Sequence, residues 1–424
     1  MTTNMRFMRR AFTLLLLSYL GLTGVLLLIK PLESTTELRV LTRLPTIPDT
    51  VLDGEKLQRF FIQAEHYATD RMYFRQFYIT QLNTLRVAAG VSPKKLVTTG
   101  KDGWLFLAGD TETEDARGSS VFSPSELDNW LRYLMHRSEE AKKHGAAYLF
   151  VVIPNKSTVY PEYLPNHITR LTQTKRLAQL SAALAKTGIL YLDASDALIA
   201  AKKNGQLYMK SDTHWNLLGA NYVQLQILQK LSEKLDYLQP QLYPFHPATP
   251  DEITILNPTS DLAHSMGLDL ETHEKINYVV DGVGTCTQAQ NTKGLRPWPV
   301  AIGDCSQKTP STLEKFWPDM HPGQRANMFR ATDNPYGRGT LLMMHDSFFE
   351  MLQPFFSNTF SHVDYILRDR PMDMATWDIL LRETKPDVII EEIIERRLNA
   401  LMPIPGKNFP ENFKTGFPET PVNF

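Results

Sequence analysis

The sequence predicts an α/β domain. A parallel sheet is flanked by helices, carried behind an N-terminal transmembrane helix and interrupted by a long irregular insertion. Three observations lead there. Apolar runs of strand length (AAYLFVVIP, ILYLD, TLLMM, PDVIIEEI) read as strands buried on both faces, as in a parallel sheet. Helical segments with start and stop signals lie between them, giving strand–helix–strand alternation. At about 240–335 the periodicity fails, in a stretch rich in Pro, Thr, Asn, Asp and Gly.

Taken in order, Arg6, Arg9 and Arg10 precede an uncharged run, Ala11–Ile29. Its length is close to the ~20 residues that span a bilayer, and no A-x-A cleavage pattern follows. Residues 1–32 thus read as a cytoplasmic tip and an uncleaved anchor, with everything beyond about Glu33 outside the cytoplasm. Residues 33–94 read as a linker and helical region. Within it, 58–86 is aromatic-rich at near-helical spacing, as a helix packed on the main domain or one lying on a membrane surface. The main domain spans 95–402. LVTTGKDGWLFL is a hairpin turning at Lys101–Gly103. SPSE, at Ser123–Glu126, is a capping box with Pro124 in the first helical position, and its helix stops at Gly145. Further helices are expected near 170–187 and 373–384, and further strands at Ile189–Asp193, Thr340–Met344, SHVDYIL and PDVIIEEI. Residues 403–424 read as an irregular tail.

Hydrophobic residues make up 42% of the chain and the net charge is -1, so the composition is globular and carries no electrostatic footprint for nucleic acid. Cys286 and Cys305 match no zinc spacing. Outside the cytoplasm they are expected to form a disulfide, contributing about 3 kcal/mol.

Two places carry chemistry. Ser347 follows the apolar strand Thr340–Met344 where a helix begins, the position in which α/β enzymes present a nucleophile to backbone N–H groups. The plainer reading is that Asp346 or Ser347 caps the helix. Asp212 and His214, at i and i+2, share one face of an extended segment, as a carboxylate orienting a general base would. The same residues also fit a helix N-cap at Ser211, Asp212 or Thr213, or metal ligands. Trp215 reads as a packed wall or as a stacking platform for a sugar. Lys156 and Tyr160, after a strand end, line the same cleft or sit on an exposed loop.

TGKDGWLFL, FVVIPNKSTVYPEYLP, SDTHWNLLGA, SDLAHSMGL and HDSFFEMLQPFF, in that order, resemble the alginate O-acetyltransferase AlgJ/AlgX-like family. Its catalytic domain resembles SGNH hydrolases. The resemblance runs from the anchor to about Leu398. The family's Asp-x-His falls on Asp212 and His214, and its nucleophile on Ser347, with His345 where the family has Gly. As in the family, and unlike ordinary SGNH enzymes, Asp and His precede Ser. The resemblance implies a bacterial inner-membrane protein with its catalytic domain in the periplasm. Acetyl would pass through Ser347 to a polysaccharide or glycan hydroxyl. A polytopic membrane acyltransferase would supply it from cytoplasmic acetyl-CoA. The sequence contains no glycine-rich cofactor motif. An acetylesterase would use the same residues with water as acceptor. The reading from another class is a non-catalytic scaffold subunit of a polysaccharide-export complex.

Overall fold

Alternating side chains of the central strands pack into two separate apolar layers, one on each side of a sheet. In this computed structural model the described residues run from 53 to 415, apart from 71–74, 173–174, 250–259, 269–277, 283–328 (where only 313 and 315 are described) and 369–370. Isolated positions before 53 are also described. The Ala11–Ile29 run therefore lies largely outside the described residues, and Cys286 and Cys305 wholly so. Among the described residues no helix is long and apolar enough to cross a membrane. The chain divides into two units, Met1–Ala89 and Gly90–Phe424.

Among the described residues of the first unit, helices run Gly54–Asp70 and Arg75–Ala88, where one helix over 58–86 is the sequence expectation. The first begins inside the expected linker because Asp53 caps it, its Oδ1 accepting the amides of Glu55 and Lys56 at 3.1 Å each.

The second unit opens with the hairpin of β1 (Val97–Thr99) and β2 (Leu105–Leu107), with Asp102 and Gly103 at positive φ in its turn. The helix Pro124–Lys143 starts at the Ser123–Glu126 capping box. The next helix is shorter than its expected 170–187, running Arg176–Leu184. Among the described residues the main sheet has six strands in the order β4 (Leu190–Asp193), β3 (Ala147–Ile153), β10 (Val388–Ile394), β8 (Thr340–His345), β9 (His362–Leu367) and β7 (Phe329–Asp333). All neighbours are parallel except β7, which pairs antiparallel with β9. The sheet is therefore mixed, not wholly parallel. Its sixth strand comes from within the span read as insertion: the edge sequence FRATD alternates between buried and partly exposed positions and has no continuous apolar run. Two short strands, β5 (Phe245–Pro247) and β6 (Tyr278–Val280), pair antiparallel within the same span.

Leu149, Val151 and Ile153 of β3 join Leu341, Met343 and Ile390 on one face. Tyr148, Phe150 and Val152 join Leu342, Met344 and Ile389 on the other. Burial of each such side chain contributes roughly 1.5–3 kcal/mol. Two glutamates interrupt the apolar run of β10, and both accept hydrogen bonds. Glu391 accepts the hydroxyls of Tyr133 and Tyr148 at 2.6 Å and pairs with Arg368 at 3.0 Å. Glu392 accepts the Asp346 amide at 2.9 Å. The described part of the expected tail, 403–415, is irregular but docked: Phe409 is buried beneath the Arg132 guanidinium, and Asn408 donates to the carbonyls of Pro371 and Met372.

Candidate functional site at the carboxyl end of the sheet

Because β3, β8 and β10 are parallel, the chain leaves all three at one end, where ligands bind in open α/β sheets. His345 closes β8 and is buried, with Nδ1 donating to the Asp346 carbonyl at 2.7 Å. Burial pushes this imidazole down to about 4, so it is neutral at pH 7. It does not occupy a left-handed conformation, so glycine is not required at this position. Asp346 is held from three sides: its amide on Glu392, Oδ1 on the Phe348 amide and Oδ2 on the Ile394 amide, each at 2.9 Å. Burial, then the charge of Asp346, holds Glu392 well above the usual carboxylate range.

Ser347 begins a 3-10 turn, Ser347–Met351, where an α-helix is the sequence expectation; the α-helix follows at Gln353–Thr359. Asp346 caps this turn, so capping and presentation of Ser347 occur together. The amides of Phe348 and Phe349 are both spent on Asp346, at Oδ1 and at the main-chain carbonyl. An oxyanion donor must come from elsewhere, beginning with the Ser347 amide.

Asp212 and His214 lie in a tight turn bracketed by the bridge between Tyr208 and Trp215. It is not the extended segment expected of an i, i+2 pair. It is an Asx turn, with the His214 amide donating to Asp212 Oδ1 at 2.9 Å. The same oxygen lies 2.6 Å from His214 Nδ1, and His214 Nε2 lies 2.8 Å from Ser347 Oγ. A carboxylate only accepts, so Nδ1 carries the proton and Nε2 is free to accept from the Ser347 hydroxyl. The N-cap reading fails here, since Asn216 caps the helix Leu217–Ser232 by accepting the Gly219 amide. Gly219 is needed: a Cβ there would stand 2.6 Å from the Leu207 carbonyl oxygen. Burial opposes charge on His214, but the carboxylates of Asp212, Asp261 and Glu350 outweigh it and raise its pKa. Burial likewise opposes charge on Asp212, and His214 with the amides of Asp261 and His214 reverses this, holding it below its ordinary value.

Asp212, His214 and Asp261 offer atoms within 4.8 Å of one another, so their spacing alone would suit a cation. Those atoms are already engaged in hydrogen bonds within the cluster. Trp215 is a wall: fully buried, it donates from Nε1 to the Phe348 carbonyl at 2.8 Å and ties the imidazole's turn to the serine's.

Neither Lys156 nor Tyr160 is exposed. The Tyr160 hydroxyl accepts the Leu207 amide at 2.8 Å. Lys156, only 1% exposed, donates to the carbonyls of Met209, Lys210 and Asp212 at 3.1, 3.2 and 2.6 Å. Its ammonium thus anchors the Asp212 turn from below. Lys156→Met preserves the apolar stem and removes all three bonds. A loss of about 2–4 kcal/mol is expected, read from urea-melt midpoints, because the carbonyls lose their donor inside the protein. A midpoint unchanged from wild type would contradict this anchoring role.

Residues 97–292 match the family described as SGNH hydrolase-like domain, acetyltransferase AlgX. This span includes Asp212 and His214 and ends before Ser347. The chain is 30% identical over 138 residues to the probable alginate O-acetylase AlgJ of Pseudomonas syringae pv. tomato, a match covering 32% of this chain and 34% of that protein. It is 32% identical over 127 residues to the protein of the same name from Pseudomonas aeruginosa, covering 30% and 31%. The match thus spans about a third of the length of these curated relatives. Among solved structures, the O-acetyltransferase domain of Pseudomonas putida AlgJ aligns with 71% of this chain and 91% of its own, at 16% identity and a TM-score of 0.40. Over residues 97–292 the chain is thus similar to the AlgJ/AlgX-like family of SGNH hydrolase-like proteins.

Proposed function

We propose that this chain is a serine-dependent O-acetyltransferase, anchored in the bacterial inner membrane with its catalytic domain in the periplasm. It moves acetyl to hydroxyls of an exopolysaccharide or cell-envelope glycan. The observation that carries the reading is the continuous hydrogen-bonded line from Asp212 through His214 to Ser347. The match of residues 97–292 to an acetyltransferase family and the names of the AlgJ relatives support acetyl as the group and a polysaccharide as the acceptor.

In the first half-reaction the Ser347 hydroxyl passes its proton to His214 Nε2 as Oγ attacks the carbonyl carbon of an acetyl donor. The Oγ–carbon bond forms, the bond from carbon to the donor's leaving atom breaks, and His214 returns the proton to that atom. In the second, His214 takes the proton of a glycan hydroxyl, whose oxygen attacks the acetyl carbon. The Oγ–carbon bond breaks and Ser347 recovers its proton. Asp212 fixes the imidazole tautomer throughout and stabilises the imidazolium. The acetyl donor is a polytopic membrane acyltransferase drawing on cytoplasmic acetyl-CoA, and the Arg6–Arg10 flank of the Ala11–Ile29 run supports this orientation.

The test supplies 4-nitrophenyl acetate to the full-length chain, quenches it, and locates the acetyl group by peptide mass spectrometry. Acetyl on Ser347, discharged faster by a glycan acceptor than by water, is the expected result. Discharge to water alone would assign an acetylesterase. Absence of acetyl on Ser347 would overturn the reading in favour of a scaffold.

A further inference from the structure

The motif SDLAHSMGL falls in the irregular span, and its segment Ser260–Leu268 packs against the Asp212–His214 turn. The Ala263 amide donates to the Ser211 carbonyl at 3.1 Å, and the hydroxyls of Ser211 and Ser260 lie 2.7 Å apart. The Asp261 amide donates to Asp212 Oδ2 at 2.8 Å. The two oxygens of Asp212 are thus divided, one serving His214 and the other Asp261. Asp261 also opens the short helix Asp261–Ser265, where a carboxylate ordinarily serves its own helix's amides. Here both oxygens turn to Thr213. Oδ1 accepts its amide at 2.7 Å, and Oδ2 accepts its hydroxyl. Oδ2 also stands 3.8 Å from His214 Nδ1.

We propose that Asp261 is a positioning residue for His214: it orients the Asp212 carboxylate through its main chain, and its own carboxylate locks Thr213 and sets a second negative charge beside the imidazole. This rests on His214 being the general base of the proposed reaction. When the Ser347 proton reaches Nε2, the ring becomes an imidazolium. A fixed charge beside Nδ1 stabilises it without any reorganisation at that moment. The charged groups facing the ring are Asp212, Asp261 and Glu350. Asp261 itself is held above the usual carboxylate range by burial and then by the charge of Asp212. A purely structural staple would need the hydrogen bonds but not the charge, and this separates the two roles.

Asp261→Asn retains the main-chain donor and the shape, and loses the charge. In the full-length chain it is expected to lower kcat with 4-nitrophenyl acetate about 10- to 100-fold, with KM within about twofold of wild type. Loss of a neighbouring anion lowers the pKa of His214, so the acid limb of the kcat profile moves to lower pH. The titration of His214, followed by NMR of ¹³C-labelled histidine and assigned by the signal's loss in His214→Gln, moves the same way. Thr213→Val removes the hydroxyl, which donates to Asp261 and also lies 3.2 Å from His214 Nδ1, and leaves the Asp261 charge, so a smaller shift of the same sign is expected. It gives the same readout should Asp261→Asn fail to fold. Unchanged kcat and unchanged His214 titration in a folded variant would overturn the proposal, as would a lowered melting point with both unchanged. The titration requires no turnover. Failure of the wild type to acetylate Ser347 would therefore defeat the catalytic reading while the shift of the imidazole still decides the role of Asp261.

Discussion

Ser347→Ala abolishes acetylation of the protein and leaves its fold intact. The Ser347 hydroxyl is half-buried, and its side-chain partner is His214 Nε2 at 2.8 Å. Removing it costs one hydrogen bond at a cleft, a change in stability of about 0.5–1.5 kcal/mol. The serine turn does not depend on that hydroxyl. It is set by Asp346, whose carboxylate grips the Phe348 and Ile394 amides, and by Trp215 on the Phe348 carbonyl. The loss in rate should approach the full nucleophilic contribution, on the order of 10⁴–10⁶, since loss of the nucleophile disables a triad acting as a unit. A burst of 4-nitrophenolate equal to the enzyme concentration in wild type, and its absence in Ser347→Ala with matching melting curves, is the expected pair of results. A full burst in the variant would remove Ser347 from the mechanism.

Local rules made much of this legible in the sequence. Ser123, Pro124 and Glu126 signal the helix they begin, and the Lys101–Gly103 turn signals its hairpin, because caps and turns are decided within a few residues. The strand carrying Thr340–Met344 was legible because burial on both faces leaves an unbroken apolar run. The edge strand Phe329–Asp333 was not, since one partner and a partly solvated face impose no such run. Asp212 and His214 announced themselves by spacing, although an Asx turn and not an extended segment brings them together. The bonds that Lys156 and Asp261 make were beyond sequence reading for one reason. Their partners lie 53–56 and 48–49 positions away in the chain, and a lone Lys or Asp near a loop ordinarily points to water. Only the folded sheet places the Lys156 ammonium beneath the Asp212 carbonyl and the Asp261 carboxylate beside Thr213.

His214→Ala and Asp212→Asn are expected to fail for different reasons, and pH distinguishes them. The alanine variant lacks the base and should lose about 10⁴–10⁶ in rate. In Asp212→Asn one oxygen becomes an NH2 group, and either orientation sets a donor against a donor. Facing His214 Nδ1, the amide forces the proton onto Nε2, and the ring can no longer accept from Ser347. Facing the Asp261 amide, it leaves two N–H groups opposed across a bond now 2.8 Å long, at a cost of about 1–3 kcal/mol. A loss of roughly 10⁴ is expected where the wrong tautomer wins. The wild-type pair also links stability to activity with opposite signs. His214 titrates above its ordinary value of 6.5 in the folded state, so its contribution to stability is full below 6.5 and is lost as pH rises through the raised pKa. Asp212 is depressed below 3.8, and its contribution persists until pH falls through that lowered value. Catalysis needs neutral His214, so activity climbs over the same interval in which the ion pair weakens. Wild-type Tm should therefore drift down as kcat rises through the acid limb, and in His214→Ala this drift should shrink to the part left by His362, whose imidazole Asp364 and Asp333 raise to about 9. A wild-type acid limb below 6.5, or a drift in His214→Ala undiminished from wild type, would show that the Asp212–His214 pair does not govern the site.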